Sequence, residues 1–114
     1  MPETKRQPRT YSRYTVEASN LLGKQIKLAR KQRRWSEHEL AERAGISRAT
    51  LPKIEKGDLT CAIGLVFEVA TLVGIKLFDA DSAALTMQIE RTDDKIALLP
   101  KRIHSGNRAV DDEF

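Results

Sequence analysis

"GISRATLPKIEKG", residues 45–57, is the stretch whose reading decides the fold. Gly45 tolerates the left-handed backbone that ends a helix in a tight turn. Ile46 is an apolar plug behind it, and Ser47 is a residue type that opens the next helix as its N-cap. Leu51 and Ile54, three apart, mark the buried side of a short helix that closes at Gly57. Pro52 sits inside this frame. With Ser47 as N-cap it is the fifth helical residue, so it forfeits the bond to the Arg48 carbonyl. In a long interior helix that costs about 3 kcal/mol. Here the helix is short, Pro52 points off the Leu51–Ile54 face toward solvent, and neighbouring helices are expected to hold the segment in place.

Working outward, the preceding residues supply a second helix. "SEHE", residues 36–39, is a capping box in which Glu39 reaches back to the Ser36 amide. Leu40, Ala41 and Ala44 form its apolar face. Ser36 and Ser47 lie eleven residues apart, so two short helices joined by "AGIS" make a helix-turn-helix. Ala44 and Gly45 are expected to be small so that the helices cross closely, while Leu51 and Ile54 lock one against the other. The third helix then projects its N-terminus outward, into a major groove wide enough to admit it.

Upstream, "MPETKRQPRTYSRY", residues 1–14, is polar, basic and proline-bearing, and is expected to be a flexible basic arm. A first helix is predicted from Thr15, as cap, to just before Trp35. Its inner side carries Leu22, Ile26, Ala29 and Arg33, and its outer side Lys24, Lys27, Lys31 and Arg34. Downstream, "CAIGLVFEVATLV", residues 61–73, predicts a fourth helix stopping at Gly74. Val66, Val69, Ala70 and Val73 make one buried stripe. Leu65, Phe67 and Leu72 make a second apolar surface, which the C-terminal helices are expected to bury within a dimer. A C-terminal extension, residues 79–100, is capped at Ser82 and reads as one broken or two short helices, with "RTDDK" at 91–95 as the weak point. Residues 101–114 are expected to form a flexible tail.

Composition bounds the function. The 114 residues fit one ordinary domain with tails, residues 15–78 forming its DNA-binding part. Residues 1–34 carry 10 basic and 2 acidic side chains, against 6 and 9 in residues 61–114. A basic half of this kind suits a polyanion, most often nucleic acid, although a solvated basic tail has the same composition. The single cysteine, Cys61, excludes an intramolecular disulfide and fits a reducing cytoplasm. No apolar run is long enough to span a membrane. His38, His104 and Cys61 are scattered with no metal-ligand spacing. No phosphate loop or nucleophile–base pair is present, so no enzyme activity and no cofactor is expected. His38 reads as an exposed helix residue and Cys61 as a small buried hydrophobe at a helix start.

Residues 22–78 resemble the Xre (Cro/C1-type) helix-turn-helix family of phage repressors, through "ELAERAGISRATLPKIEKG" at 39–57. The longer frame is similar to the HipB-type antitoxin regulators paired with HipA-like kinases, through "YTVEASNLLGKQIKLARKQRRWS", "GDLTCAIGLVFEVATLVGIKLF" and "ALLPKRI…VDDEF". The resemblance implies an all-α, lambda-repressor-like five-helix helix-turn-helix domain with an extra C-terminal helix and flexible tails. It implies base reading by Arg48, Ala49, Thr50 and Lys53, with Arg48 able to grip guanine O6 and N7. Ser36, Ser47 and Lys56 become phosphate candidates, along with the amides that start the second helix. Glu37 stands where the family often has a phosphate-contacting glutamine, and a carboxylate has no hydrogen to donate. The family's ion pair between the first and third helices falls here on Arg30 and Glu55, where it would set registry.

The expected function is therefore a sequence-specific, cytoplasmic, nucleoid-associated repressor. It binds a pseudo-palindromic operator on double-stranded DNA as a homodimer, and the resemblance makes it the autoregulating antitoxin of a HipA-like serine/threonine kinase toxin-antitoxin operon. The alternative is a protein-interaction module that sequesters a partner with little or no operator role. Val110, Asp111, Asp112, Glu113 and Phe114 could form a linear motif for the kinase-like partner, two apolar anchors around three acids. A solubilising acidic tail would read the same way.

Overall fold

The computed structural model describes residues 9–78 and 81–102. Five helices and no strand occur among them: α1 (Arg13–Gln32), α2 (Glu37–Ala44), α3 (Thr50–Glu55), α4 (Ile63–Leu72) and α5 (Ser82–Ala97). The all-α, lambda-repressor-like reading stands. The chain divides into two units between Leu77 and Phe78, so α1–α4 belong to one and α5 to the other.

In the first unit α3 packs on α1 and on α2, and α2 packs on α4. Ile26, Leu40, Leu51 and Val69 are fully buried at the centre, with Ala41, Ile54, Ala70 and Val73 around them. Each large aliphatic side chain removed from water here contributes about 1.5–3 kcal/mol. Leu22, Ala29, Trp35, Ala44, Ile46 and Val66 are among the partly buried residues that close the edges. The buried row of α1 is Gly23, Ile26 and Arg30, and Arg33, expected on that side, is exposed. A methyl group at Gly23 would lie 2.6 and 2.7 Å from the Glu55 and Ile54 carbonyl oxygens, so glycine is what lets α1 and α3 touch backbone to backbone.

The four helices of this unit all end the same way. A residue with positive φ stands at the C-cap or just after it: Arg34 (61°), Gly45 (72°), Gly57 (79°) and Gly74 (86°). The amide of the next residue then donates back to a carbonyl five positions earlier, as Trp35 does to Arg30, Ile46 to Ala41, Asp58 to Lys53 and Ile75 to Ala70. This motif satisfies carbonyls that a helix end leaves without partners. In three cases the residue after the turn is apolar and packs on the core. Gly45 was expected to be small to let helices approach, but an added Cβ would meet nothing within 4 Å. It is kept for its φ alone.

Three boundaries differ from expectation. The first helix begins at Arg13, two residues before Thr15, because the Ser12 hydroxyl accepts from the Thr15 amide at 3.2 Å. The fourth starts at Ile63, after Ala62, leaving Cys61 half-buried in the preceding bend. The C-terminal helix is capped by Asp81, whose carboxylate accepts from the Ala84 amide at 2.9 Å, one residue before Ser82. It is one unbroken helix through Arg91–Lys95. Acidic residues lower helix propensity by only a few tenths of a kcal/mol each, too little to break an exposed helix.

Candidate nucleic-acid interface

The reading head is built from local chemistry first. The capping box forms as expected: Glu39 N–H donates to the Ser36 hydroxyl at 3.0 Å, and Ser36 N–H donates to Glu39 Oε1 at 2.8 Å. The Ser36 hydroxyl acts here as an acceptor, which leaves its hydrogen free to face a phosphate. Glu37 and Glu39 lie in the first turn of α2, where carboxylates suit the positive end of the helix dipole.

After Gly45 the chain does not enter α3 directly. Ser47 accepts from the Thr50 amide with both its hydroxyl and its carbonyl, each at 3.1 Å, and the two hydroxyls lie 2.7 Å apart. Residues 47–49 are thus one tight turn that Ser47 holds closed, and the α-helix proper runs only from Thr50 to Glu55. Ser47 is the organiser predicted at this point, but α3 has six residues rather than about eight. The start of α3 also answers the question that Pro52 posed. Pro52 is its third residue, inside the first turn. Having no amide, it gives the Arg48 carbonyl no helical donor, as expected, so the turn rests on Ser47 instead. The ring is half-buried rather than turned to solvent.

Leu51, Ile54 and Glu55 are the buried side of α3. Arg48 and Ala49 in the turn before α3, Lys53 within it and Lys56 at its end are all exposed. Thr50 is only half exposed, its hydroxyl engaged with Ser47. Lys53 lies near Asp58, whose carboxyl is held below the usual carboxylate range. The Thr60 hydroxyl and amide do most of this, donating at 2.6 and 2.8 Å, and the Lys53 charge adds to it.

Beneath this surface the expected ion pair is present. Arg30 Nε and Nη2 donate to the two Glu55 carboxylate oxygens at 2.7 and 3.0 Å, and Nη1 donates to the Trp35 carbonyl at 3.0 Å. The Glu55 hydrogen bonds, outweighing burial, push the guanidinium pKa above its ordinary value. This two-pronged grip ties α1, the α1–α2 turn and α3 together. Glu37 completes the group: its half-exposed carboxylate lies 3.9 Å from Arg30 Nη2. It therefore has a cationic neighbour within the domain.

Sequence reasoning missed several supports of this interface. The Ser19 hydroxyl donates to the Gly57 carbonyl at 2.9 Å, pinning the end of α3 to α1. Arg43 lies 4.4 Å and Arg33 5.7 Å from the Trp35 ring centroid, so two exposed guanidiniums flank the indole beside the α2 cap. A lone glycine in the helical run "LLGKQ" was the available signal for the α1–α3 approach. His38 is exposed, 3.9 Å from Glu42. Burial first, then the Asp58 charge, pushes the Cys61 thiol up, away from the reactive thiolate. No group of His, Cys, Asp or Glu among the described residues could hold a metal ion, and no described helix is long and apolar enough to cross a membrane. The tail residues Val110, Asp111, Asp112, Glu113 and Phe114 lie outside the described residues.

Residues 26–78 match the family model described as Helix-turn-helix, a segment that runs from the middle of α1 to just past α4 and contains every candidate DNA-contacting residue. No curated protein matches the chain. The match supports the Xre-type assignment of this segment and a DNA-binding transcriptional regulator.

Proposed function

We propose that the protein is a sequence-specific transcriptional repressor that docks α3 in the major groove as a homodimer. One observation carries this reading: Arg48 and Ala49 in the turn before α3 and Lys53 within it are all exposed, while Leu51 and Ile54 anchor the helix. Arg48 reads guanine through O6 and N7, Ala49 or the Thr50 methyl meets a thymine methyl, and Lys53 reaches a neighbouring base edge. Ser36, Ser47, Lys56 and the first amides of α2 hold phosphates. Glu37 serves this surface indirectly, through Arg30. The operator is a pseudo-palindrome with half-sites about 34 Å apart. The protein acts in the cytoplasm, on the nucleoid.

The HipB-like frame of the sequence supports a narrower role, the autoregulating antitoxin of a HipA-like serine/threonine kinase. In that role the tail from Val110 to Phe114 engages the kinase. A second reading, a protein-interaction module with little operator role, is favoured by the exposure of Tyr14 (82%) on α1 and Ile63 (70%) on α4. Salt separates the two, because phosphate contacts make operator affinity fall steeply as salt rises. Replacing Arg48 by alanine is expected to cost about 1–3 kcal/mol on the preferred operator and to relax preference at one base pair. Lys56→Ala is expected to weaken all DNA sequences alike. If Arg48→Ala leaves the ratio of specific to non-specific affinity unchanged, Arg48 does not read bases.

A further inference from the structure

Asp58 is a carboxylate at the end of the reading helix, and the DNA contacts proposed above make no use of its charge. Gly57, in the left-handed conformation, ends α3, and the Asp58 amide then donates back to the Lys53 carbonyl at 3.0 Å. Asp58 Oδ1 accepts from the Thr60 amide at 2.8 Å and from the Thr60 hydroxyl at 2.6 Å, so the half-buried side chain is held where it stands. Its other oxygen, Oδ2, accepts no hydrogen bond among the described residues. Lys53 is a neighbour rather than a locked partner. Its charge acts on the Asp58 carboxyl and on the Cys61 thiol, yet none of the ion pairs among the described residues engages it.

The turn after α3 does not need this charge. An asparagine carbonyl oxygen would accept the same two bonds from Thr60. A fixed anion beside a DNA-binding surface is also unfavourable in itself, because it repels the phosphates that supply sequence-independent affinity. The negative charge therefore calls for a reason outside the turn, and the reading residue beside it is Lys53.

A lysine ammonium is a mobile point charge with three donors. Left alone it settles on a phosphate, and phosphate contacts carry no sequence information. Next to Asp58 the two classes of acceptor separate. A phosphate oxygen brought to the Lys53 ammonium also approaches the Asp58 carboxylate, and the like charges repel. Guanine O6 and N7 and thymine O4 are neutral acceptors, so they share the ammonium with Asp58 free of that penalty. We infer that Asp58 is a specificity-determining residue acting through Lys53: its fixed carboxylate keeps the ammonium off the phosphates and leaves it to the base edges. The inference deepens the DNA-reading function above and rests on it.

The test measures the full chain on two duplexes of equal length, the sequence that the parent protein enriches from a random pool and a scrambled version of it. Asp58→Asn removes the charge and keeps an acceptor for Thr60, and its thermal melt reports that the fold is intact. Asp58→Ser, which also accepts from an amide two residues on, is a second uncharged variant and should behave alike. Affinity for the scrambled duplex should rise about tenfold, while affinity for the enriched one should change less than about threefold, so that discrimination falls. On the scrambled duplex, the slope of log affinity against log salt should steepen by about 0.9 for each reading head, one new phosphate contact. Both changes should vanish when Asp58→Asn is made in a Lys53→Ala chain, which has no ammonium to release. A parent protein that enriches no sequence overturns the DNA-reading function and this inference with it. A parent that does, but whose discrimination is unmoved by Asp58→Asn, overturns the inference alone. So does an equal rise on both duplexes that persists with Lys53→Ala, the mark of plain charge repulsion. A selective loss on the enriched duplex overturns it too, because Asp58 would then be accepting from a base itself.

Discussion

α2 and α5 are both short, capped, amphipathic helices, yet they have opposite fates. Leu40 and Ala41 of α2 are buried against α3 and α4, while Ile89 and Ile96 of α5 stand about as open as the charged residues around them. The apolar spacing is equally regular in both. Periodicity declares that a helix has an inner face; it does not say what lies against that face. In the first unit the answer comes from devices that are short in sequence and long in reach: a glycine where α1 meets α3, a guanidinium gripping a carboxylate, and a serine that closes the turn before the reading helix.

The sharpest way to break the contrast is to strike one of those devices. Glu55→Ala leaves the Arg30 guanidinium buried without its partner and is expected to destabilise the domain by about 3–5 kcal/mol in urea unfolding. A loss under 1 kcal/mol would show that water reaches Arg30 and that the grip is ornamental. Truncating the two inner faces in parallel gives the next effect. Leu51→Ala is expected to cost about 2–5 kcal/mol. Ile89→Ala, measured at a protein concentration low enough to keep the chain monomeric, should leave the melt of the first unit within about 0.5 kcal/mol. Equal costs would mean that α5 shares the core of α1–α4.

Much of this was legible because it is local. Ser36, Glu39 and Gly45 are recognised by residue type at fixed offsets, and the structure makes each bond they announce. Leu51 and Ile54 declare themselves by spacing. What escaped was set by the fold as a whole. Gly23 looks like a flaw in a helix until α3 arrives against it. The three-residue turn held by Ser47 looks like the start of a helix, because a serine three residues before a donor amide serves both. "RTDDK" looks like a break, because threonine and two aspartates are weak helix formers. Among the candidate site residues, Arg48, Lys53 and Lys56 were legible as exposed cations, whereas Glu37's proximity to Arg30 depends on how α1 and α2 cross.

The smaller predictions sharpen the comparison at helix ends. Ser36→Ala removes half of the capping box and should cost about 1 kcal/mol in thermal melting. Arg34 is the one non-glycine among the four left-handed helix stops. Arg34→Gly is expected to stabilise the domain by about 1 kcal/mol, since a side chain disfavours that backbone. Destabilisation instead would mean that the Arg34 side chain makes a contact worth more than its strain. Pro52→Ala should be neutral or slightly stabilising, because alanine supplies the amide that proline lacks. A loss would show that the half-buried ring packs against its surroundings.

Trp35 is the only tryptophan in the chain. It is half-buried at the junction of α1 and α2, flanked by the Arg33 and Arg43 guanidiniums, and its carbonyl is held by Arg30. All of the protein's indole fluorescence therefore comes from one point, next to the α2 cap proposed to hold phosphate and one bond from the Arg30–Glu55 pair. An untagged sample thus reports on its own working parts. Its emission follows loosening of that junction, and titration with operator DNA becomes an optical measurement that needs no label.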